Sequence, residues 1–528
     1  MFYRVPARPE GFRPRVQPGG AGTLKHAVRR ARWRLLLPAL LIAFLTTVTA
    51  SAAGSGGWDH LGTGGAANTA SLNGAVYALI NDGSGNIYAA GAFTKAGPRP
   101  APHLAAWISG DHQWLGSGEL PTSWSSHPLN GDIHAMVWDG TGARLFVGGT
   151  FTNADGDPGA DFLAVWDQNR WKPFCSPAPA FGGNVSSLQI IGSTLYVGGA
   201  FQNGAGIPGA NYLIACDLST GVARAVGKPG DLNGGVYALT ADAGGTLYVG
   251  GQFSNVANTP AADHVASYDG AWHPLGLGVP DYVRSLAASG NDVYIGTDSV
   301  DVAGIPQADH VARWNGSAWS ALGANSAGTD GWLPKTAFIY AIAATSSQVV
   351  VTGSFQNADA NPAADHIACF DGSKWAPLGS NGAGNGPWIG NGLALAILGK
   401  DVYAGGNFTS AGGDPLAAYI TRYTPQTASS NLFTFGAVTP NLTTGTAKLT
   451  INTPGPGVLT LKGTGVRTAR VTTPSSAGSV KLSVQATGNA RQILGRLGRV
   501  KVKPTITFAP TGGTARSRST AVVLKKRR

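Results

Sequence analysis

Between residues 57 and 426 the apolar positions come in short runs, each cut off by Gly, Asn, Asp or Pro, and none is long enough for a buried helix. Such runs predict strands joined by tight turns. One pattern recurs along this stretch: Val-Tyr-Ala-Leu, then Leu-Tyr-Val-Gly-Gly-x-Phe, then His-Val-Ala-x-Tyr-Asp-Gly, then Trp-x-x-Leu-Gly. Its second element ends at Phe93, Phe151, Phe201, Phe253, Phe355 and Phe408, and a fifth copy places Ser299 where the Phe would stand. The intervals are 58, 50, 52, 46, 56 and 53 residues. Four strands per unit, repeated seven times, predict an all-β, seven-bladed β-propeller.

The fourth-strand Trp occurs at Trp114, Trp171, Trp272, Trp319 and Trp375. The third copy has Ala223 to Gly227 instead, and the seventh stops at Tyr423 without that strand. The missing piece, Gly57-Trp58-Asp59-His60-Leu61-Gly62, stands in front of the first copy. The two ends are therefore expected to share a blade, because an open ring would leave unpaired strand edges.

The Gly-Gly ending the second strand, the aromatic-Asp ending the third and the Trp of the fourth resemble the kelch family and related Gly-rich propeller repeats of secreted bacterial proteins. The resemblance covers residues 57 to 426 and implies a fold more than an activity. Residues 431 to 528 alternate polar and apolar positions, as in Lys448-Leu449-Thr450-Ile451, with turns at Pro454 to Gly457 and Gly512-Gly513. They are expected to form a β-sandwich, and they resemble the basic immunoglobulin-like (Ig-like) modules of some secreted bacterial proteins.

Charge divides the chain in the same places. Residues 1 to 50 carry +8, residues 427 to 528 carry +16 with no carboxylate, and the stretch between carries −13. Behind Arg29, Arg30, Arg32 and Arg34, the apolar run Leu35 to Ala50 and the small residues Ala50-Ser51-Ala52 read as a secretory signal peptide over residues 1 to 52, an uncleaved anchor being the alternative. The expected product is a monomer without a membrane span, secreted or associated with the cell wall. The basic module would favour an anionic wall polymer by salt-sensitive attraction, and secretion argues against nucleic acid. Charge for solubility, or docking onto the acidic propeller, is the alternative.

Catalytic motifs are missing. No Ser-His-Asp or Cys-His set can be assembled, and nucleotide fingerprints are absent. A propeller followed by an Ig-like module also resembles the copper radical oxidases, but that family takes a copper ligand from a His of its C-terminal domain, and residues 427 to 528 contain none. Asp263-His264, Asp309-His310 and Asp365-His366 recur in register, which reads as an Asp closing a turn beside a packed His. Cys175 and Cys216 lie in adjacent blades and either bridge or stay as buried thiols, while Cys369 is too far around the ring to join them.

Three Trp residues are left unexplained by the repeat. Trp124, Trp332 and Trp388 lie in the insertions 117 to 131, 324 to 337 and 380 to 391, on the rim that also carries the Asx-rich loops. Rings beside polar turns suit stacking on sugars or anchoring a protein, the alternative being that each caps its own blade. Asp155 and Asp157, in Asn153-Ala154-Asp155-Gly156-Asp157, loosely resemble a calcium loop, although turn chemistry accounts for them without an ion, and no cofactor is expected. One first-strand position varies around the ring: Tyr77, His134, Ser186, Tyr237, Arg284, Tyr340 and Leu393. It either lines the channel or packs between blades. The function expected is a binding or adhesion module for a glycan or an extracellular protein. A polysaccharide hydrolase or lyase and a structural spacer are the alternatives.

Overall fold

The computed structural model describes residues 57–61, 71–109, 112–115, 128–140, 144–167, 170–175, 181–381, 383, 385–388, 390–425, 431–473, 478–510 and 515–527. The signal segment, Trp124 and the linker 426–430 lie outside them. Between residues 57 and 424 the described strands form seven four-stranded antiparallel sheets, numbered I to VII in chain order, and one small two-stranded ribbon of Lys95–Ala96 and Arg99–Pro100. Their first strands are Val76–Asn81, Ile133–Trp138, Val185–Ile191, Val236–Ala241, Val283–Ser289, Ile339–Ala344 and Gly392–Leu398. Each packs against the first strand of the next sheet, and the last packs back on the first, closing a ring. A closed ring of radial four-stranded sheets is a β-propeller.

The inner seam accounts for the first Gly of Gly-Gly in sheets II to V and VII, while sheet I has Ala90 at that place. An added Cβ at Gly148, Gly198, Gly250, Gly296 or Gly405 would lie 2.3, 2.5, 2.6, 2.6 or 2.5 Å from a methyl carbon of Val185, Val236, Val283, Ile339 or Val76 respectively. A β-branched side chain from each next sheet thus occupies the space left by a missing side chain. Between sheets VI and VII the pair is inverted, with Thr352 filling the space over Gly392, where an added Cβ would sit 2.0 Å from Oγ1.

A second seam runs along the outer edge. The indole N–H of Trp319 donates to Leu275 O (2.9 Å), and Trp375 donates likewise to Leu322 O. Both accepting Leu residues belong to the Trp-x-x-Leu-Gly of the preceding sheet. Ring closure uses the same bond: Trp58 donates to Leu378 O (2.8 Å) and Trp114 donates to Leu61 O (2.6 Å). Trp58 stands opposite Tyr423 in the terminal strand pair Gly57–Asp59 with Ile420–Thr424. The Gly after the Leu has positive φ, and an added Cβ at Gly379 would meet Trp58 Nε1 at 2.6 Å.

Cys175 and Cys216 form a disulfide between sheets II and III, with Cα atoms 5.4 Å apart. Cys369 keeps a free thiol, pushed up to about 12 by burial and by the charge of Asp371. It is therefore a poor nucleophile.

Residues 431–527 form further sheets of three strands, of four strands and of two strands around a core that includes Phe433, Leu449, Leu459, Leu482, Ile506 and Phe508. The strand alternation is as expected. A helix, Gly488–Leu497, was not expected: it buries Leu494 and stops at Gly498, whose φ of 66° lets its N–H reach Leu494 O (3.0 Å).

Trp58→Ala is expected to cost about 3 kcal/mol, since it removes a large packed ring and an inter-sheet bond. Denaturant unfolding measures it, and a loss below about 0.5 kcal/mol, the usual range of surface changes, would show that the terminal strand does not hold the ring.

Candidate functional site at the channel mouth

All seven first strands contain a β-bulge at their start, and each bulged residue is the variable one. The register breaks between Val76 and Ala78, Ile133 and Ala135, Val185 and Ser187, Val236 and Ala238, Val283 and Ser285, Ile339 and Ala341, and Gly392 and Ala394. An extra residue in one strand re-aims its own side chain. Here these are Tyr77, His134, Ser186, Tyr237, Arg284, Tyr340 and Leu393, all half-buried.

The second Gly of Gly-Gly accommodates the bulge. The carbonyl before it crosses to the residue after Gly-Gly, as in Thr150 N–H to Asp132 O (2.9 Å) and Gln252 N–H to Gly235 O (2.8 Å). An added Cβ at Gly149 or Gly251 would lie 2.0 or 2.1 Å from that same carbonyl oxygen. Sheet V has Thr297 instead, whose hydroxyl turns the close approach into a hydrogen bond to Tyr282 O (2.9 Å).

Bulged residues of neighbouring sheets meet at the mouth. Tyr77 and His134 have ring centroids 5.1 Å apart, and the Arg284 guanidinium lies 5.9 Å from the Tyr340 ring and 5.8 Å from that of Phe338. The residue after Gly-Gly supplies polar partners. Tyr237 donates to Gln252 Oε1 (2.6 Å), and Gln252 Nε2 donates to the Tyr282 hydroxyl (3.0 Å). Arg284 grips Asp298 through two bonds of 2.6 Å. This fork holds the Arg284 charge still further above its ordinary pKa, and Phe338 stays 42% exposed beside it. The result is an arc from sheet IV to sheet VI in which aromatic faces alternate with fixed donors and acceptors. At the other end of the first strands lies a cavity of about 440 Å³, lined by residues including Leu79, Asn81, Val137, Ala343, Thr345 and Leu395.

Of the Trp residues singled out in the insertions, Trp332 and Trp388 take the capping alternative, and Trp124 lies outside the described residues. Trp332 is 8% exposed and stacked on Trp375, with centroids 5.6 Å apart. Trp388 is 3% exposed and stacked on Phe408 at 4.6 Å. The insertions of Trp332 and Trp388 do lie over the second-to-third strand loops, as Asp359 N–H to Trp332 O (3.1 Å) and Gly412 N–H to Pro387 O (2.8 Å) show, but each ring is buried as a cap. Burying an indole face removes far more apolar surface from water than leaving it on a loop.

Asp155 lies in the short 3-10 turn Ala154–Gly156 with φ 55°, and Asp157 accepts the Gly159 N–H (2.8 Å). Turn chemistry accounts for Asp157, and neither residue joins a group of three carboxylates among the described residues. The Asp-His pairs form the expected turn: Asp263, Asp309 and Asp365 accept the N–H groups of Asn255, Asp301 and Asn357 at 2.7, 3.0 and 2.6 Å. The paired His264, His310 and His366 each donate Nδ1–H to a backbone carbonyl.

No family model matches the sequence, and no curated protein matches it. Among solved structures, the chain is similar to the extracellular domain of a protein assigned to a one-component system of B. thetaiotaomicron (13% identity, 80% of this chain and 47% of that one, TM-score 0.41). It is likewise similar to the extracellular domain assigned to a hybrid two-component system there (11%, 90% and 60%, TM-score 0.42). A third likeness is the propeller domain of the Trilobed protease of Pyrococcus furiosus (10%, 68% and 96%, TM-score 0.37). The chain spans about half the length of the first two. The propeller assignment rests on the strand pairing above. No helix among the described residues is long and apolar enough to cross a membrane.

Burial lowers the pKa of His134 against the weaker pull of Asp132, and burial likewise lowers that of His310. A folded pKa below the unfolded one means that the unfolded chain takes up protons first as pH falls through about 6.5, so stability falls there too, by at most about 1.4 kcal/mol per unit for each His. An NMR titration is expected to place the His134 midpoint below 6.5, and a midpoint at or above that value contradicts the burial.

Proposed function

We propose that the chain is a secreted or cell-surface seven-bladed, kelch-like propeller with a basic Ig-like module, and that it binds a glycan at the loop-side channel mouth. The observation that carries this reading is the arc Tyr237, Gln252, Tyr282, Arg284, Asp298 and Tyr340. A sugar offers C–H faces to aromatic rings and hydroxyls to amide, guanidinium and carboxylate groups, and the arc supplies both in alternation. The groups are pre-set by one another's hydrogen bonds, so little ordering is left to binding.

Three features support the extracellular setting. The Cys175–Cys216 bond suits an oxidising compartment. The signal sequence over residues 1 to 52 and the tail of +16 are as an exported protein that meets anionic wall polymers would have them.

Glycan-array screening followed by calorimetry on a hit tests the proposal. Arg284→Ala and Tyr237→Ala are expected to weaken binding at least about tenfold, or 1.4 kcal/mol. Trp332→Ala is expected to lower the melting temperature while leaving the affinity of the folded protein alone. A wild-type chain that binds no glycan, or mouth variants that bind as tightly as wild type, would refute it.

A further inference from the structure

The second-to-third strand loop is built alike in sheets II to VI. A residue with φ of 49 to 51° opens a 3-10 turn, and its backbone N–H donates to an Asx side chain eight positions on. The opening residue is Asn153, Asn203, Asn255 and Asn357 in four copies, but Asp301 in sheet V. The accepting residue there is Asp309, so sheet V alone of the five holds two carboxylates where the others hold one or none. The insertion after that sheet then brings a third, Asp330.

These three converge. One oxygen of each lies within 4.8 Å of those of the other two. Asp309 is 3% exposed, and its Oδ2 is shut off from solvent with no hydrogen-bond donor. Asp301 Oδ1 and Asp330 Oδ1 are also shut off from solvent, with the Lys335 ammonium near them. Sheet VI provides the control, since there the equivalent Asp365 Oδ2 receives the Gly386 N–H (3.3 Å). In sheet V the insertion comes as close, an added Cβ at Gly331 lying 2.6 Å from Asp309 Cβ, yet it brings a carboxylate instead of a donor.

A buried carboxylate oxygen with no donor, such as Asp309 Oδ2, is costly, and three carboxylates together repel. Burial, then the charges of Asp330 and Asp301, raise the pKa of Asp309. The protein's own cation is Lys335, whose Nζ lies 3.3 Å from Asp330 Oδ1 and 3.8 Å from Asp301 Oδ1. One ammonium against three carboxylates leaves excess negative charge, and with its side chain half exposed Lys335 is free to swing into water.

We infer that Asp301, Asp309 and Asp330 form a site for a hard divalent cation, calcium foremost. Calcium takes oxygen ligands at about 2.3 to 2.6 Å, so ligand atoms on opposite sides of it stand about 4.6 to 5.2 Å apart, a span matched by this cluster. Three carboxylates leave the rest of a shell of six to eight oxygens to water and backbone carbonyls. The bound ion would pin the insertion 324 to 337, and Trp332 with it, to the loop of sheet V.

The test uses the folded chain stripped with chelator, titrated with calcium by calorimetry, with magnesium in a second arm and terbium luminescence in a third. One saturable calcium site is expected, with Kd on the order of 10⁻⁴ to 10⁻³ M. Asp309→Asn and Asp301→Asn, the latter restoring the residue of the sister loops, are expected to weaken it at least about tenfold. Lys335→Gln is expected to tighten it by removing the competing ammonium. Terbium emission excited through Trp is expected to fall in the same Asp variants. Flat titrations with both wild type and Lys335→Gln would overturn the site and leave Lys335 as its sole counter-ion. Binding that survives in Asp309→Asn would overturn it as well.

Discussion

The ring is held by a small-to-large fit that recurs at five of the seven junctions of its inner seam and is inverted at a sixth: a β-branched side chain on the first strand of one sheet fills the space where the second strand of the previous sheet has Gly. Only close packing makes this decisive, because a single added carbon at Gly148 would lie 2.3 Å from Val185. The outer seam adds direction to that fit. Four Trp indoles, Trp58, Trp114, Trp319 and Trp375, donate to Leu carbonyls of the preceding sheet, and the terminal segment 57–61 takes part in both halves of the device, as donor through Trp58 and as acceptor through Leu61. Closure is thus one more instance of the repeat.

On that uniform frame, variety is confined to the bulge. Every first strand is displaced by one residue at the same depth, so seven side chains are turned to the channel without disturbing the packed positions on either side. These seven can vary without disturbing the packed glycine contacts and Trp bonds of the seams, although neighbours such as Tyr77 and His134, or Arg284 and Tyr340, meet one another. Sheets IV to VI have used the freedom to assemble linked Tyr, Gln, Arg and Asp groups, and sheet V has used its neighbouring loop to gather carboxylates. Both specialisations grow from positions where the repeat tolerates substitution.

Much of the architecture was legible beforehand because its determinants are buried and repeated. Val-Tyr-Ala-Leu and Leu-Tyr-Val-Gly-Gly read directly as strands, and Trp58 could be matched to the strand missing after Tyr423. The variable column was visible too, but nothing in a linear pattern distinguishes a channel-lining bulge from an inter-sheet contact. For Trp332 and Trp388 the face of the molecule was legible and the direction was not: whether a loop Trp stacks on Trp375 or meets solvent depends on a partner 43 residues away in sequence. The Asp cluster escaped for the same reason, since Asp330 comes from an insertion outside the repeat. The helix Gly488–Leu497 escaped because its apolar residues are few and sit among alternating strands.

The inverted pair at the junction of sheets VI and VII gives the most direct measurement. A double-mutant cycle on Thr352→Gly and Gly392→Val, read by denaturant unfolding, compares each single change with the pair that restores the fit used at the neighbouring seams. Gly392→Val alone forces a side chain into Thr352 and is expected to cost about 3 kcal/mol, while the double variant is expected to recover most of it, a coupling of at least about 2 kcal/mol. Additive losses, with no recovery in the double variant, would contradict the claim that this fit holds the ring.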